Sequence, residues 1–219
     1  MSVEESWGKI ERWIVQHAPE EDPLPPPCTR ADLDALYESL GGRLPDDVER
    51  SLLRHNGSGL TVILPPGFTL LSVEDVLEKR ATWLKYAAPD DCNLAEGDKP
   101  FLVPFAALSV IQLLVDIRTG RIGWWDIEQG FFWERDPLWC SFTSALDFVG
   151  NLLASPPPWI AILPGDDEWE VTDRHPDFPG TLVWTEDPVD WPPAGLEADP
   201  EYLSSPRAPL PGDEWADGV

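Results

Sequence analysis

Histidines, cysteines and paired acids are the residues of this chain that could do chemistry. The three histidines, His17, His55 and His175, are far apart. None stands at metal-ligand spacing from a second histidine or a cysteine, so no zinc site is expected. Cys28, Cys92 and Cys140 form no CxxC, and an odd number leaves one unpaired in any pairing. That usage fits a reducing compartment, and a cytoplasmic location is expected. Acids occur in pairs at Asp46-Asp47, Asp90-Asp91 and Asp166-Asp167. Adjacent helical residues point in different directions, so Asp46-Asp47, which follows Pro45 and precedes Glu49, reads as a complement to a helix dipole rather than an acid/base dyad. His55 reads as a helix C-cap for the same electrostatic reason. The chain contains no GxGxxG, GxxxxGK[ST] or GxSxG. The expectation is a non-enzyme without cofactor or metal.

Recognition is a better fit than catalysis for one stretch, Trp124-Trp125-Asp126-Ile127-Glu128 with Phe131-Phe132-Trp133-Glu134-Arg135-Asp136. In a strand, alternation puts Trp124 and Asp126 on one face and Trp125 and Ile127 on the other. Both faces then carry an aromatic, although only one can meet the helices. The remainder, edged by acids, has the make-up of an aromatic centre with an acidic rim, and such rims steer basic partners. The candidate partner-binding residues are therefore Trp124, Trp125, Asp126, Glu128, Glu134 and Asp136. The competing account is a second packing layer, with the C-terminal segment covering these aromatics.

The elements that must hold this hairpin are legible from periodicity. Trp7, Ile10, Trp13, Ile14 and His17 make an apolar stripe on a helix from about Glu5 to His17. A proline-rich link, Pro19 to Pro27, cannot continue it. Thr29-x-x-Asp32 is a capping pattern opening a helix with Leu33, Leu36, Tyr37 and Leu40 on one face. Gly41-Gly42 ends that helix, Pro45 starts the next, and Asn56-Gly57 breaks it, with Gly57 expected at positive φ. Leu36, Leu40, Leu52 and Trp13 are expected to meet in one core. Thr61–Leu64 and Phe68–Leu71 read as short strands, and Ser72 caps a further helix. Residues 88–100 read as loop. Strands are expected at 101–105, 112–116, 121–127 and 131–134, with a final helix capped by Ser141. Helices followed by antiparallel strands indicate an α+β fold, with helices packed on one side of a mostly antiparallel sheet.

Apolar content of 42% is ample for a core in 219 residues, but the net charge of −25 is extreme. Such a surface disfavours nucleic acid and anionic membranes as partners and speeds encounter with basic proteins. No apolar run approaches the length of a membrane span, and the first residues lack a signal-peptide core. Composition shifts after Ser155: Arg174 and Arg207 are the only bases against fifteen acids, among many prolines. The expected division is a domain over 1–154 and an acidic Pro- and Trp-rich extension over 155–219. The excess of acid and proline argues for disorder there, whereas Trp159, Trp169, Trp184, Trp191 and Trp215 argue for partial wrapping against the domain. Thr181–Thr185 reads as a short added strand. Leu163-Pro-Gly-Asp-Asp-Glu-Trp169 echoes in Leu210-Pro-Gly-Asp-Glu-Trp215, either as a repeated docking motif or as chance within a biased composition.

Taken together, these residues resemble the SUKH superfamily, the domain of yeast cell-wall-synthesis regulators that recurs in bacterial immunity proteins. Trp7-x-x-Ile10-Glu11 is similar to its opening helix. Leu40-Gly41, Leu44-Pro45-Asp46-Asp47 and His55-Asn56-Gly57 follow its LG…LP.D…NG signature. Leu64-Pro65, Leu70-Leu71-Ser72, Pro104-Phe105-Ala106, Val115-Asp116, Thr119-Gly120 and Ser141-Phe142 continue the pattern in order. Many members carry Gly-Asp where this chain has Val110-Ile111-Gln112, so that loop is expected to be reshaped. The resemblance implies an α+β, non-enzymatic, protein-binding domain. From it and the acidity, the expected function is a cytoplasmic bacterial immunity protein that neutralises a cognate, basic toxin such as a nuclease. The alternative is an intracellular regulatory adaptor that binds proteins through the domain and the acidic extension.

Overall fold

The computed structural model describes residues 2–87, 97–133, 140–163, 167–175 and 177–185. Its helices are α1 (Val3–His17), α2 (Arg30–Leu40), α3 (Asp46–Arg54), α4 (Val73–Tyr86) and α5 (Phe142–Ala154). Four of them begin with a reciprocal capping box: Ser2 with Glu5, Thr29 with Asp32, Ser72 with Asp75, and Ser141 with Ser144. Each box satisfies two backbone donors that a helix start otherwise leaves without partners. Gly41 ends α2 in the left-handed conformation at φ 68°. Gly57, at φ 80°, turns the chain after α3 where backbone passes so close that a Cβ would lie 2.7 Å from the Ser72 nitrogen. Glycine is required there twice over.

Strands β1 (Thr69–Leu70), β2 (Leu102–Leu108), β3 (Ile111–Asp116), β4 (Ile122–Asp126) and β5 (Gly130–Trp133) form an antiparallel sheet in chain order, with α4 inserted after β1. The fold is α+β. The expectation of a strand at Thr61–Leu64 is corrected: only Leu64 makes an isolated bridge, to Phe68, and β1 is two residues long. Here Ser58 competes with the ladder, its hydroxyl donating to the Thr61 carbonyl at 2.7 Å and accepting from the Leu70 amide at 2.9 Å. Pro65 and Pro66, lacking N–H groups, stop any continuation.

One face of the sheet, with Val103, Phe105, Leu113, Val115 and Ile122, meets the apolar sides of the helices. Trp13, Leu36, Leu40 and Leu52 meet in this one cluster, as their periodicity predicts. A smaller cluster lies on the opposite face, where Trp83 and Ala87 at the end of α4 cover Leu102, Leu114, Trp125 and Phe131. Helices α1 and α5 approach closely because Gly150 faces Ser6; a Cβ there would stand 3.1 Å from the Ser6 carbonyl oxygen.

Beyond α5, strands β6 (Trp159–Leu163), β7 (Asp167–His175) and β8 (Phe178–Thr185) make a second antiparallel sheet. Its inner face carries Trp159, Ala161, Val171, Leu182 and Trp184 into the main core. Trp159 meets Trp13 edge-on at 5.1 Å and His17 at 4.9 Å, while His17 lies 3.4 Å from Asp173. The Glu20 amide donates to the Gly180 carbonyl, and the Leu182 amide to Glu21, both at 2.9 Å. The Trp184 indole donates to the Val62 carbonyl at 3.2 Å. The link after α1 thus closes the outer edge of β8.

Candidate protein-binding surface

The sequence-derived candidates fall on the β4–β5 hairpin, and packing separates them. Trp125 is 2% exposed and sits edge-on to Trp83 with ring centroids 5.5 Å apart. It is a core residue, and its cover comes from α4. Trp124, on the other face, is only partly buried and stacks on Phe132 at 4.9 Å with 21° between planes. Asp126 is buried, and its Oδ1 accepts the amides of Glu128 at 2.7 Å and Gln129 at 3.1 Å. Its carboxylate closes the turn rather than facing a partner. Glu128 is exposed at the turn. Glu134 and Asp136 lie outside the described residues.

The same end of the sheet carries apolar residues that the sequence reading missed. Register brings the β2–β3 turn beside the β4–β5 turn, where Val110 and Ile127 are 53% and 48% exposed. In the β2–β3 turn Ser109 takes φ 52°, unusual without glycine, at the loop where the sequence departs from the resemblance. Exposed turn apolars have no periodic signature, so only their register could have found them. The hairpin end therefore presents a stacked Trp124–Phe132 pair, two exposed aliphatic residues and Glu128. Aromatics of this kind supply large, rigid contact area, which suits binding to a protein.

Elsewhere polar side chains are engaged in holding the fold. Glu49 receives Tyr37 Oη at 2.6 Å, Arg43 at 2.9 Å and Arg30. The Tyr37 hydrogen bond leads in lowering the Glu49 carboxyl; burial opposes it, and the two arginines add to the lowering. Burial and the Glu49 carboxylate push the Tyr37 phenol up. Glu11 takes a bidentate Arg54 at 2.6 and 2.7 Å and one His55 nitrogen at 2.8 Å, and its carboxyl is lowered chiefly by Arg54. His55 caps α3, as its position predicts, and also packs edge-on to Trp7 at 4.8 Å. Burial raises the Asp116 carboxyl, but hydrogen bonds from the Arg118 side chain and amide outweigh it and leave it lowered. Asp47 accepts the Thr143 amide at 3.0 Å and hydroxyl at 2.9 Å, joining the starts of α3 and α5. Among the described residues no three His, Cys, Asp or Glu side chains converge as a metal site would require. No helix among them is long and apolar enough to cross a membrane.

Residues 27–147 match the model of the SMI1/KNR4 family (SUKH-1), more than half of the chain. The chain belongs to this family. Within SUKH-1 it is similar to fungal proteins. A KNR4/SMI1 homolog of Yarrowia lipolytica is 39% identical over 90 residues, 39% of this chain and 13% of the relative. A glucan synthesis regulatory protein of Neurospora crassa is 35% identical over 85 residues, 37% of the chain and 16% of the relative. The cell wall biosynthesis/cell cycle regulator smi1 of Schizosaccharomyces pombe is 36% identical over 89 residues, 39% and 18%. The matches thus span less than a fifth of these curated relatives. They overturn the expectation of a bacterial toxin-immunity protein, since the relatives are fungal and named as regulators. The reason the sequence misled is physical. The SUKH-1 motif residues Leu40, Gly57 and Asp116 are buried in the core, in a tight turn or in an internal ion pair, so they specify the scaffold and leave the partner open.

Proposed function

We propose that this chain is a regulatory adaptor domain that acts by binding other proteins, without catalysis of its own. The observation that carries this reading is the match to a small part of much longer fungal proteins named as regulators of glucan synthesis and the cell wall. A module of that size within a larger regulator is suited to recognition. The surface best suited to it is the hairpin end, with the Trp124–Phe132 stack as anchor and Val110, Ile127 and Glu128 around it. A net charge of −25 favours a basic partner and accelerates its association at low salt.

The test is replacement of the matched segment of the Schizosaccharomyces pombe regulator by this chain, scored by wall glucan content and growth. The expected result is a working chimera that loses function on Trp124→Ala while its protein level is unchanged. A stably produced chimera without function would overturn the reading, as would turnover of any substrate by the purified chain that a single carboxylate change abolishes.

A further inference from the structure

At the end of the first sheet away from the β4–β5 turn, basic side chains are held without acids. There α4 passes the 3-10 helix Lys99–Phe101 that leads into β2. The Ile117 amide joins the β3–β4 turn to the same place, donating to the Phe101 carbonyl at 3.0 Å. Elsewhere arginines sit on carboxylates: Arg30 and Arg43 share Glu49, and Arg54 takes Glu11. Here the partners differ. Arg80 donates to the carbonyls of Ser39 at 3.3 Å and Pro100 at 3.1 Å. Lys99 donates to the Ala87 carbonyl at 2.7 Å and stands 5.7 Å from the centre of the Trp83 ring. Lys85 lies 4.5 Å over the Tyr86 ring, and Arg121 lies 4.4 Å over that of Trp133.

Carbonyls and ring faces fix a cation in place but leave its charge intact. The acids nearby, Asp98 and Asp116, are both taken by Arg118, at 2.8 and 2.7 Å. Among the described residues Arg80, Lys85, Lys99 and Arg121 have no carboxylate partner. The dipole of α4 offsets only about half a charge at its C-terminal end. A cationic patch therefore remains on a chain of net charge −25. The patch also offers apolar surface: Tyr86 is 51% exposed and Phe101 38%, the latter under Arg118 at 4.3 Å.

We propose that this patch binds an acidic segment of a partner protein, one in which carboxylates alternate with apolar residues. Charge complementarity selects the acids, and the exposed rings of Tyr86 and Phe101 select the apolar residues between them. The Arg121 guanidinium, braced on Trp133, presents a planar fork that matches a carboxylate. The rest of the molecule repels anions, and that repulsion grows with the charge of the ligand. A carboxylate segment with apolar anchors is thus favoured over a phosphorylated one. The patch and the hairpin end lie at opposite ends of the strands. One molecule can hold a basic partner at one end and an acidic segment at the other, and the two readings fail separately.

The experiment measures fluorescence anisotropy of labelled peptides titrated with the full-length chain. A peptide of alternating glutamate and leucine is expected to bind, and to bind more weakly as salt is raised. Lys85→Gln combined with Arg121→Gln should weaken that binding about tenfold, the worth of two exposed charge contacts, with the melting temperature unchanged. Arg50→Gln, which removes an exposed charge on α3, should leave it as in wild type. Absence of binding, or equal weakening by Arg50→Gln, would overturn the proposal. Tighter binding of a lysine–leucine peptide would show that overall acidity governs, and tighter binding of a phosphoserine–leucine peptide that the ligand is phosphorylated; either would overturn it. Asp90, Asp91 and Glu96 lie between α4 and Lys99 in the sequence. Tenfold tighter peptide binding on changing all three to their amides would make the chain itself the occupant, and self-association lost in the Lys85, Arg121 double variant would make it a second copy; both outcomes overturn the proposal.

Discussion

Trp124 and Trp125 are neighbours in sequence with opposite fates. Trp125 is enclosed by Trp83 and Phe131, so Trp125→Ala is expected to cost about 3–5 kcal/mol in urea unfolding, enough to unfold a marginal domain. Trp124→Ala removes a half-buried ring from the surface; its main effect should be faster partner dissociation, about 2 kcal/mol or more if the ring is an anchor. Measuring stability beside binding kinetics separates the two, and equal destabilisation would show Trp124 to be core. Glu49 illustrates a charge used for structure. Its carboxyl is lowered in the folded state, so the stability it contributes is complete above its unfolded value of about 4.3 and is lost as pH falls through the lower folded value. Glu11 behaves alike. Stability should therefore be level from pH 7 to about 5 and decline below about 4. Glu49→Gln should cost about 1.5–3 kcal/mol at pH 7, as for hydrogen bonds to a charged group, and should make that acid limb shallower. A denaturant series across pH checks both.

Between elements, the paired acids of α3 do different work. Asp46 is exposed, whereas Asp47 accepts the amide and hydroxyl of Thr143 and so caps α5 from a distant part of the chain. Asp47→Ala is expected to cost about 0.5–2 kcal/mol, the usual loss of a cap, and Asp46→Ala no more than about 0.5. Equal effects in thermal unfolding would mean that both act only through the α3 dipole. A helix corner of this kind depends on its glycine as well as on its caps. Gly57 turns the chain where the Leu70 carbonyl oxygen stands 2.8 Å from the place a Cβ would take, so the corner admits no larger residue without backbone movement.

For the whole molecule, the second sheet shares the main core through its inner face, with aromatic contacts to α1 at the centre. Trp159 is the hub, meeting Trp13 and His17 and donating to the Ser155 carbonyl at 3.0 Å. Trp159→Ala should lower stability by about 3–5 kcal/mol if the molecule unfolds as one unit. If the sheet opens by itself, exchange should quicken in β6–β8 first while α2, α3 and the first sheet keep their protection. Segment-resolved hydrogen exchange decides between these two outcomes. The sheet lies outside residues 27–147, the region matched to the family.

Sequence alone determined the helices, the caps at Thr29, Ser72 and Ser141 though not the one at Ser2, the positive φ of Gly57, the α+β class and the family, because each is written in residues close together in the chain. The shared core of Trp13, Leu36, Leu40 and Leu52 was legible too, since periodicity marks buried faces. Only the tertiary structure decided which tryptophan of the hairpin is fully buried and which stays partly exposed, because alternation distinguishes two faces but does not say that α4 covers the second. It also decided the roles of Asp126, Glu49 and Asp47, whose partners depend on turn geometry and on helices brought together by folding. Of the strands at 159–185 only Thr181–Thr185, the end of β8, was legible; proline and acid in the composition hid the rest. Their apolar residues gain stability from meeting α1, a contact made across the whole length of the chain.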